Sequence, residues 1–112
     1  MVFDARKMTD LTARLLVTTA LIWPSHLVAN PTGAVVVGGT ASVTGEGSGA
    51  LTINQQSERG IINWQDFSIG AGENVRFNQP SASSITANRV IGVNPSQILG
   101  QMSATGRVLL IN

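Results

Sequence analysis

The sequence predicts an all-β protein of short strands joined by glycine turns, and three observations carry that prediction. Apolar residues recur at every second position, glycine is frequent (12 in 112 residues), and only 12% of the residues are charged. Period-two spacing sends successive side chains to opposite faces of a strand, whereas a helix spaces its apolar residues by three and four. The clearest case is "INWQDFSIGAGENVRFNQ", Ile62 to Gln79, with the apolar pairs Ile62/Trp64, Phe67/Ile69 and Val75/Phe77. Soluble domains ordinarily carry roughly a quarter charged residues, so this low content suits strands and turns better than solvated helices.

The first 29 residues differ in kind. Arg6, Lys7 and Arg14 precede the apolar run "LLVTTALIW", Leu15 to Trp23, which is followed by "PSHLVAN". A basic region, a short apolar core and a small residue, in that order, describe a secretory signal peptide. The core is shorter than the ~20 apolar residues that span a bilayer. Cleavage is expected after Ala29, making Asn30 the first mature residue, although Leu27 is bulky for its place two residues upstream. Asp4 and Asp10 dilute the basic region, Met8 is an alternative start, and a packed N-terminal helix is the competing reading. The division is therefore a leader over 1–29 and one domain over 30–112. That domain sets Arg59, Arg76, Arg89 and Arg107 against Glu46, Glu58, Asp66 and Glu73, so it is formally neutral, and it has no lysine or histidine.

The mature chain reads as about eight short strands. "AVVVGG" from Ala34 is a strand with a glycine stop, and "ASVTGEGSGALTINQ" puts Val43 before a turn and Leu51 and Ile53 after it. "GIINWQDFSI" and "NVRFNQ" follow, then "SSITANRVIG" with Ile85, Ala87 and Val90 as its apolar positions. "NPSQILGQM" opens on an Asn-Pro turn signal. The last stretch, "ILGQMSATGRVLLIN", holds two apolar runs separated by Ser103–Gly106, a turn of hairpin length. This spacing fits a sandwich or a β-solenoid. Asn and Gln scattered through strands and turns favour the solenoid, where stacked turns form side-chain amide ladders.

Composition and motif spacing exclude much chemistry. Without cysteine there is no disulfide framework and no thiolate metal site. A net charge of +1 gives no basic footprint for nucleic acid. "GAGENV", Gly70 to Val75, starts like a dinucleotide loop but ends on valine, and "GEGSG", Gly45 to Gly49, lacks the Lys-Ser/Thr of a phosphate loop. Both read as turns, where glycine is free to take positive φ. Asp66 and Glu73 flank a strand, but general acid–base work needs two carboxyls facing one cleft with separated pKa values. Ser96 and Ser103 have no histidine partner in the mature chain, since His26 lies in the leader. Trp64 reads as a core residue ahead of a sugar-stacking platform. No catalytic, cofactor-binding or metal-ligating residue is assigned.

The second half carries a resemblance. "INWQDFSIG" (with Asn63, Trp64, Phe67, Ile69 and Gly70), "VRFNQPS" (Phe77) and "NRVIG" (Asn88, Arg89, Val90 and Gly92) are its first pieces. "NPSQILGQM" (Pro95, Ser96, Ile98 and Gly100) and "GRVLLIN" (Gly106, Leu110, Ile111 and Asn112) complete it. Together these resemble the N-terminal secretion domain of filamentous haemagglutinin-type exoproteins, the haemagglutination-activity domain of two-partner secretion in Gram-negative bacteria. "ALTINQ" and a leader ahead of "PTG" extend the likeness over the mature chain.

The resemblance implies a right-handed parallel β-helix with extra hairpin strands. It also implies the periplasmic domains of an outer-membrane β-barrel transporter as partner, reached after the Sec machinery has exported the chain. The product then belongs at the cell surface or outside the cell. Adhesive, haemolytic or toxin regions normally follow such a domain and meet host glycans or proteins. The family's domain continues beyond the position matching Asn112, within an Asn-Pro-Asn-Gly motif, so residues 30–112 are expected to be its N-terminal portion and an incomplete signal alone. Strand pairing at a sheet edge offers the transporter a means of capture. The competing functions are an autonomous carbohydrate-binding adhesive module and a carbohydrate-active enzyme on a β-helix. The latter calls for Asp, Lys or Arg clustered on one strand face.

The leader reading makes a direct prediction. N-terminal sequencing of the periplasmic product should begin at or near Asn30, and an intact Met1 or Met8 in a cytoplasmic fraction would refute it.

Overall fold

The computed structural model describes residues 30–112, so the leader and the residue before the expected cut, Ala29, lie outside the described residues. Eight strands follow Pro31: β1 (Val35–Gly38), β2 (Ala41–Thr44), β3 (Ala50–Gln55), β4 (Arg59–Trp64), β5 (Asn74–Asn78), β6 (Ile85–Val90), β7 (Gln101–Ala104) and β8 (Arg107–Ile111). They form two four-stranded sheets, ordered β1-β4-β6-β8 and β2-β3-β5-β7. The all-β expectation holds, and the sheets are mixed.

The chain alternates between the sheets. Strand β3 pairs in parallel with β5, and β5 with β7; in the other sheet β4 pairs in parallel with β6, and β6 with β8. Each circuit of chain therefore lays one strand on each sheet. Parallel neighbours need such a crossover, because a tight turn can only reverse direction. The first two strands run the other way: β1 pairs antiparallel with β4 and β2 antiparallel with β3. One antiparallel circuit thus covers the first edge of both ladders, which blunts edges that would otherwise recruit other chains. A parallel bridge between Ile69 and Ile98 joins two successive connecting segments.

Two glycine-rich stretches fold as turns. "GEGSG" closes the β2–β3 hairpin with Gly45, Gly47 and Gly49 all near φ +85° (87, 83 and 85), a left-handed conformation costly for other residues. In "GAGEN" the Glu73 N–H donates to Gly70 O at 3.0 Å, with Gly72 at φ 81. One reading is corrected. Ser103–Gly106 is no hairpin, because β7 and β8 lie in different sheets: Ser103 and Ala104 end β7, and Thr105 and Gly106 form a corner between the two.

The core lies between the sheets. Leu51, Ile53, Ile62, Trp64, Phe67, Ile69, Val75 and Phe77 are all fully buried, so all six period-two positions of the Ile62–Gln79 stretch point inward. Full burial of one such side chain stabilises by about 1.5–3 kcal/mol. Trp64 meets Phe67 edge-on, with ring centroids 5.3 Å apart and planes at 80°, the arrangement the aromatic quadrupole favours. Strand β6 departs from the pattern. Its apolar Ile85 and Ala87 face outward, while Thr86 and Asn88 are fully buried.

Successive circuits approach closely at glycines. A Cβ on Gly92 would strike Gln65 O, one on Gly100 would strike Glu73 O and Gly70 O, and one on Gly106 would lie 2.6 Å from Ser84 O. In each case the obstacle is backbone of the preceding circuit, which cannot rotate aside. Gly100→Ala should therefore cost about 1–3 kcal/mol, the usual range for overpacking. Urea unfolding followed by circular dichroism would measure it, and an unchanged midpoint would show that the circuits separate freely.

Candidate functional site

The interior contains a polar ladder, and the scatter of Asn and Gln in the sequence does not single out which residues build it. Gln55 closes β3, and its Nε2 donates to Ser57 O at 2.8 Å and to Ile85 O at 3.2 Å. Gln79, one circuit on, repeats the manoeuvre. Its Nε2 donates to Arg107 O at 2.9 Å, and its Oε1 accepts from Gly106 N–H at 2.6 Å. Thr86 sits between them, donating its hydroxyl to Gln55 Oε1 and accepting from Gln79 Nε2 at 2.9 Å. Each glutamine thus fastens its own circuit to the next. Gly60 opposite Gln55 leaves the needed room, since a Cβ there would lie 2.5 Å from Gln55 Oε1.

Asn88 acts in the same way deeper in the core. Its Oδ1 accepts from Trp64 Nε1–H at 2.9 Å, and its Nδ2 donates to Leu109 O at 3.1 Å. A buried indole N–H without a partner would cost about 1–3 kcal/mol, so Asn88 lets Trp64 occupy the core. Trp64 itself is fully buried, which removes it as a sugar-stacking platform.

The N-terminal end is tied to the "GAGEN" turn. Asn30 and Pro31 are buried. With its amide oriented to suit both neighbours, Asn30 donates to Glu73 Oε1 at 3.1 Å and accepts from Ala50 N–H at 3.2 Å. The same Glu73 Oε1 accepts from Gly70 N–H at 2.8 Å. Gly70 and Glu73 therefore form a structural clasp, with Asn74 N–H bonded back to Gly49 O and Gln101 N–H forward to Glu73 O, each at 3.0 Å.

The remaining motif positions separate by environment. Val90 and Leu110 are packed against the core, while Asn63, Arg89 and Ile111 occupy one outward row across β4, β6 and β8. Pro95 and Ile98 are exposed on the connecting segment, where Asn112 Nδ2 donates to Ser96 Oγ at 3.1 Å. Among the described residues no cluster of His, Cys, Asp or Glu is placed to hold a metal ion.

One cluster escaped the sequence reading. Glu58, at the corner before β4, accepts from Ser84 Oγ at 2.9 Å, from Ser81 Oγ at 3.0 Å and from Ser83 Oγ at 3.4 Å. The hydroxyls come from "SASS" one circuit later, and the visible signal was only a serine run 23 residues or more downstream. Bonds from Ser84 first, then Ser81, with Ser83 a smaller contributor, hold the Glu58 carboxyl below its ordinary value.

The fold is thus a coil of parallel ladders, capped by one antiparallel circuit and fastened internally by amides. Comparison with known proteins makes this specific. The model of the TPS (two-partner) secretion domain matches residues 27–112, and the chain belongs to that family. Two heme/hemopexin-binding proteins of Haemophilus influenzae are similar. One is 44% identical over 82 residues, covering 73% of this chain and 9% of that protein; the other is 41% identical over 74 residues, covering 66% and 8%. The chain thus spans about a tenth of the length of these relatives. The crystal structure of the HMW1 secretion domain from Haemophilus influenzae superposes with a TM-score of 0.68 at 35% identity, covering 74% of this chain and 22% of that one.

The Glu58 cluster generates a pH prediction. A depressed folded pKa contributes stability that is present above the ordinary value of 4.5 and is lost as pH falls through the folded value. Carbon-detected NMR titration should place the Glu58 midpoint below that of an ordinary glutamate, and Ser84→Ala should raise it. A midpoint indifferent to Ser84 would mean that the hydroxyls do not set it.

Proposed function

We propose that residues 30–112 are the N-terminal portion of the secretion signal of a filamentous haemagglutinin-like exoprotein. In this reading the periplasmic domains of an outer-membrane β-barrel transporter recognise the segment after Sec export and removal of residues 1–29. The product is delivered to the cell surface or medium of a Gram-negative cell, and the two ladders are the first circuits of a right-handed parallel β-helix. The observation that carries the proposal is the capped parallel ladder itself, together with membership of the family. Such a ladder grows one circuit at a time on a covered N-terminal edge, which suits a chain that emerges from a pore in order. The motif positions from Asn63 to Asn112 serve in this reading as packing and fastening residues for that growth, with the exposed Pro95 and Ile98 as contact residues.

The relatives' names point to haem and hemopexin, but residues 30–112 supply Met102 as their sole residue of a usual haem-ligating type. Haem capture, adhesion or toxicity would therefore reside in other regions of such a protein. An adhesive role for this segment alone remains the second reading, favoured by the exposed Val93 just before the "NPSQILGQM" motif and the exposed Leu99 within it.

The test is co-expression in a Gram-negative host. The chain, alone and extended by the downstream secretion-domain residues of a relative, is paired with a cognate transporter or with none. The extended chain should reach the medium only when the transporter is present, and the shorter one should be retained and proteolysed. Transporter-independent release, or direct glycan binding by residues 30–112, would favour the adhesive module.

A further inference from the structure

The two sheets differ on their outer sides. In the β2-β3-β5-β7 sheet the outward positions of β3 and β5 are polar apart from the small Ala50: Thr52 and Asn54 lie over Arg76 and Asn78, with Asn78 Nδ2 donating to Asn54 Oδ1 at 3.0 Å. That side is solvated in the ordinary way. The β1-β4-β6-β8 sheet is the reverse. Ile61, Ala87 and Leu109 are register partners in one outward row across three strands, and Ile61 also lies against Gly38 of β1. Val35, Val37 and Ile111 extend this surface, and the five large side chains are between 39% and 57% exposed. Strand β6 contributes to it by its inversion, since polar Thr86 and Asn88 point inward and the apolar side is turned to solvent.

The charges carried by these four strands have one sign, with Glu58 at the corner before β4 engaged by the serines Ser81, Ser83 and Ser84. Arg59 and Arg107 flank Ile85 in the row on one side of the apolar row, and Arg89 lies between Asn63 and Ile111 on the other. The four strands contribute no carboxylate. A contiguous apolar patch rimmed by polar groups marks an interaction surface, and the rim selects the partner through complementary charge. A second copy stacked face to face would oppose arginine with arginine, which disfavours a symmetric dimer. A lipid surface is disfavoured too, because the patch holds only aliphatic side chains and lacks the aromatic residues and lysines of interfacial binders. What fits is a protein surface with an apolar strip flanked by carboxylates.

We propose that the outer side of the β1-β4-β6-β8 sheet is the docking surface for the transporter's periplasmic domain, which meets it with an apolar strip bordered by acidic side chains. This rests on the transporter reading above and locates the contact on the chain.

The experiment places a photo-crosslinking amino acid at Ile61 or Leu109, and at Thr52 or Ser103 as controls, in the extended chain co-expressed with its transporter. Crosslinks to the periplasmic domain should form from the first pair only. In parallel, Arg59→Glu with Arg89→Glu should weaken binding of the purified periplasmic domain about tenfold or more, whereas Arg76→Glu on the opposite sheet should leave it within about twofold. Circular dichroism melting confirms that each variant is folded. Raising salt from about 0.05 to about 0.5 M should weaken binding of the unsubstituted chain. Crosslinks from Thr52 or Ser103 instead, or equal loss with Arg76→Glu, overturn the proposal. So do crosslinks from Ile61 to downstream residues of the same chain or to a second copy, and binding to anionic vesicles in place of the periplasmic domain. Transporter-dependent secretion with no crosslink from either side rejects this surface while leaving the transporter reading intact. Absence of transporter-dependent secretion defeats that reading and this proposal together.

Discussion

Gln55 ends β3 and Gln79 directly follows β5; both turn inward and bond to backbone that the chain reaches only after crossing to the other sheet. Nearly everything else follows from that corner. A circuit can stack on its predecessor only if strands one circuit apart stay in parallel register on both sheets together. The circuits are unequal: Asn74 follows its partner Ala50 by 24 residues, whereas Ile85 follows Arg59 by 26. The slack is taken up at the corners, where backbone groups leave the ladders and would be buried without partners. The glutamine amides supply those partners, each with one acceptor and two donors on a single planar group. A shorter or apolar side chain would leave orphaned groups at each corner, at about 1–3 kcal/mol apiece.

Glycines at the corners answer the same constraint from the steric side. Gly92, Gly100 and Gly106 stand where the preceding circuit's carbonyl oxygens come nearest. An amide clasp draws the circuits together, and the missing Cβ permits the approach. Neither device works alone: a clasp against a methyl group is strained, and a gap without a clasp leaves buried carbonyls unbonded. The family-motif positions thus combine core residues such as Trp64 and Phe77 with residues whose task is to let backbone meet backbone.

This explains which elements of the fold were legible in the sequence. Core positions from Ile62 to Phe77 could be read because a strand with one apolar face imposes a period of two, and the glycine turns because their chemistry is local. The β6 interior could not be read that way. Thr86 and Asn88 are inside because Gln55, Gln79 and Trp64 need hydrogen-bond partners there, and those residues lie 7 to 31 positions away. Alternation alone therefore points Ile85 and Ala87 the wrong way. The stretch Ser103–Gly106 looked like a hairpin because a short glycine-containing gap between apolar runs has the same local signature whether the chain reverses or changes sheet. The serine cage around Glu58 is invisible for the same reason as the ladder: its members meet only when one circuit is stacked on another.

The antiparallel first circuit gives the stack a direction. β1 and β2 cover the free edges of β4 and β3, so new parallel strands can pair only on the other side of each ladder. Closing a circuit of about 25 residues costs conformational entropy that rises slowly with length. Its return is the pairing of two strands and the burial of one layer of core, both available only if the preceding circuit is in place. The N-terminal end, where Asn30 and the Gly70–Glu73 turn are bonded together, is therefore the natural starting point. In the secretion reading proposed above, a chain that folds from that end would need no external energy source to move in one direction through a pore, because each circuit completed outside would oppose its return.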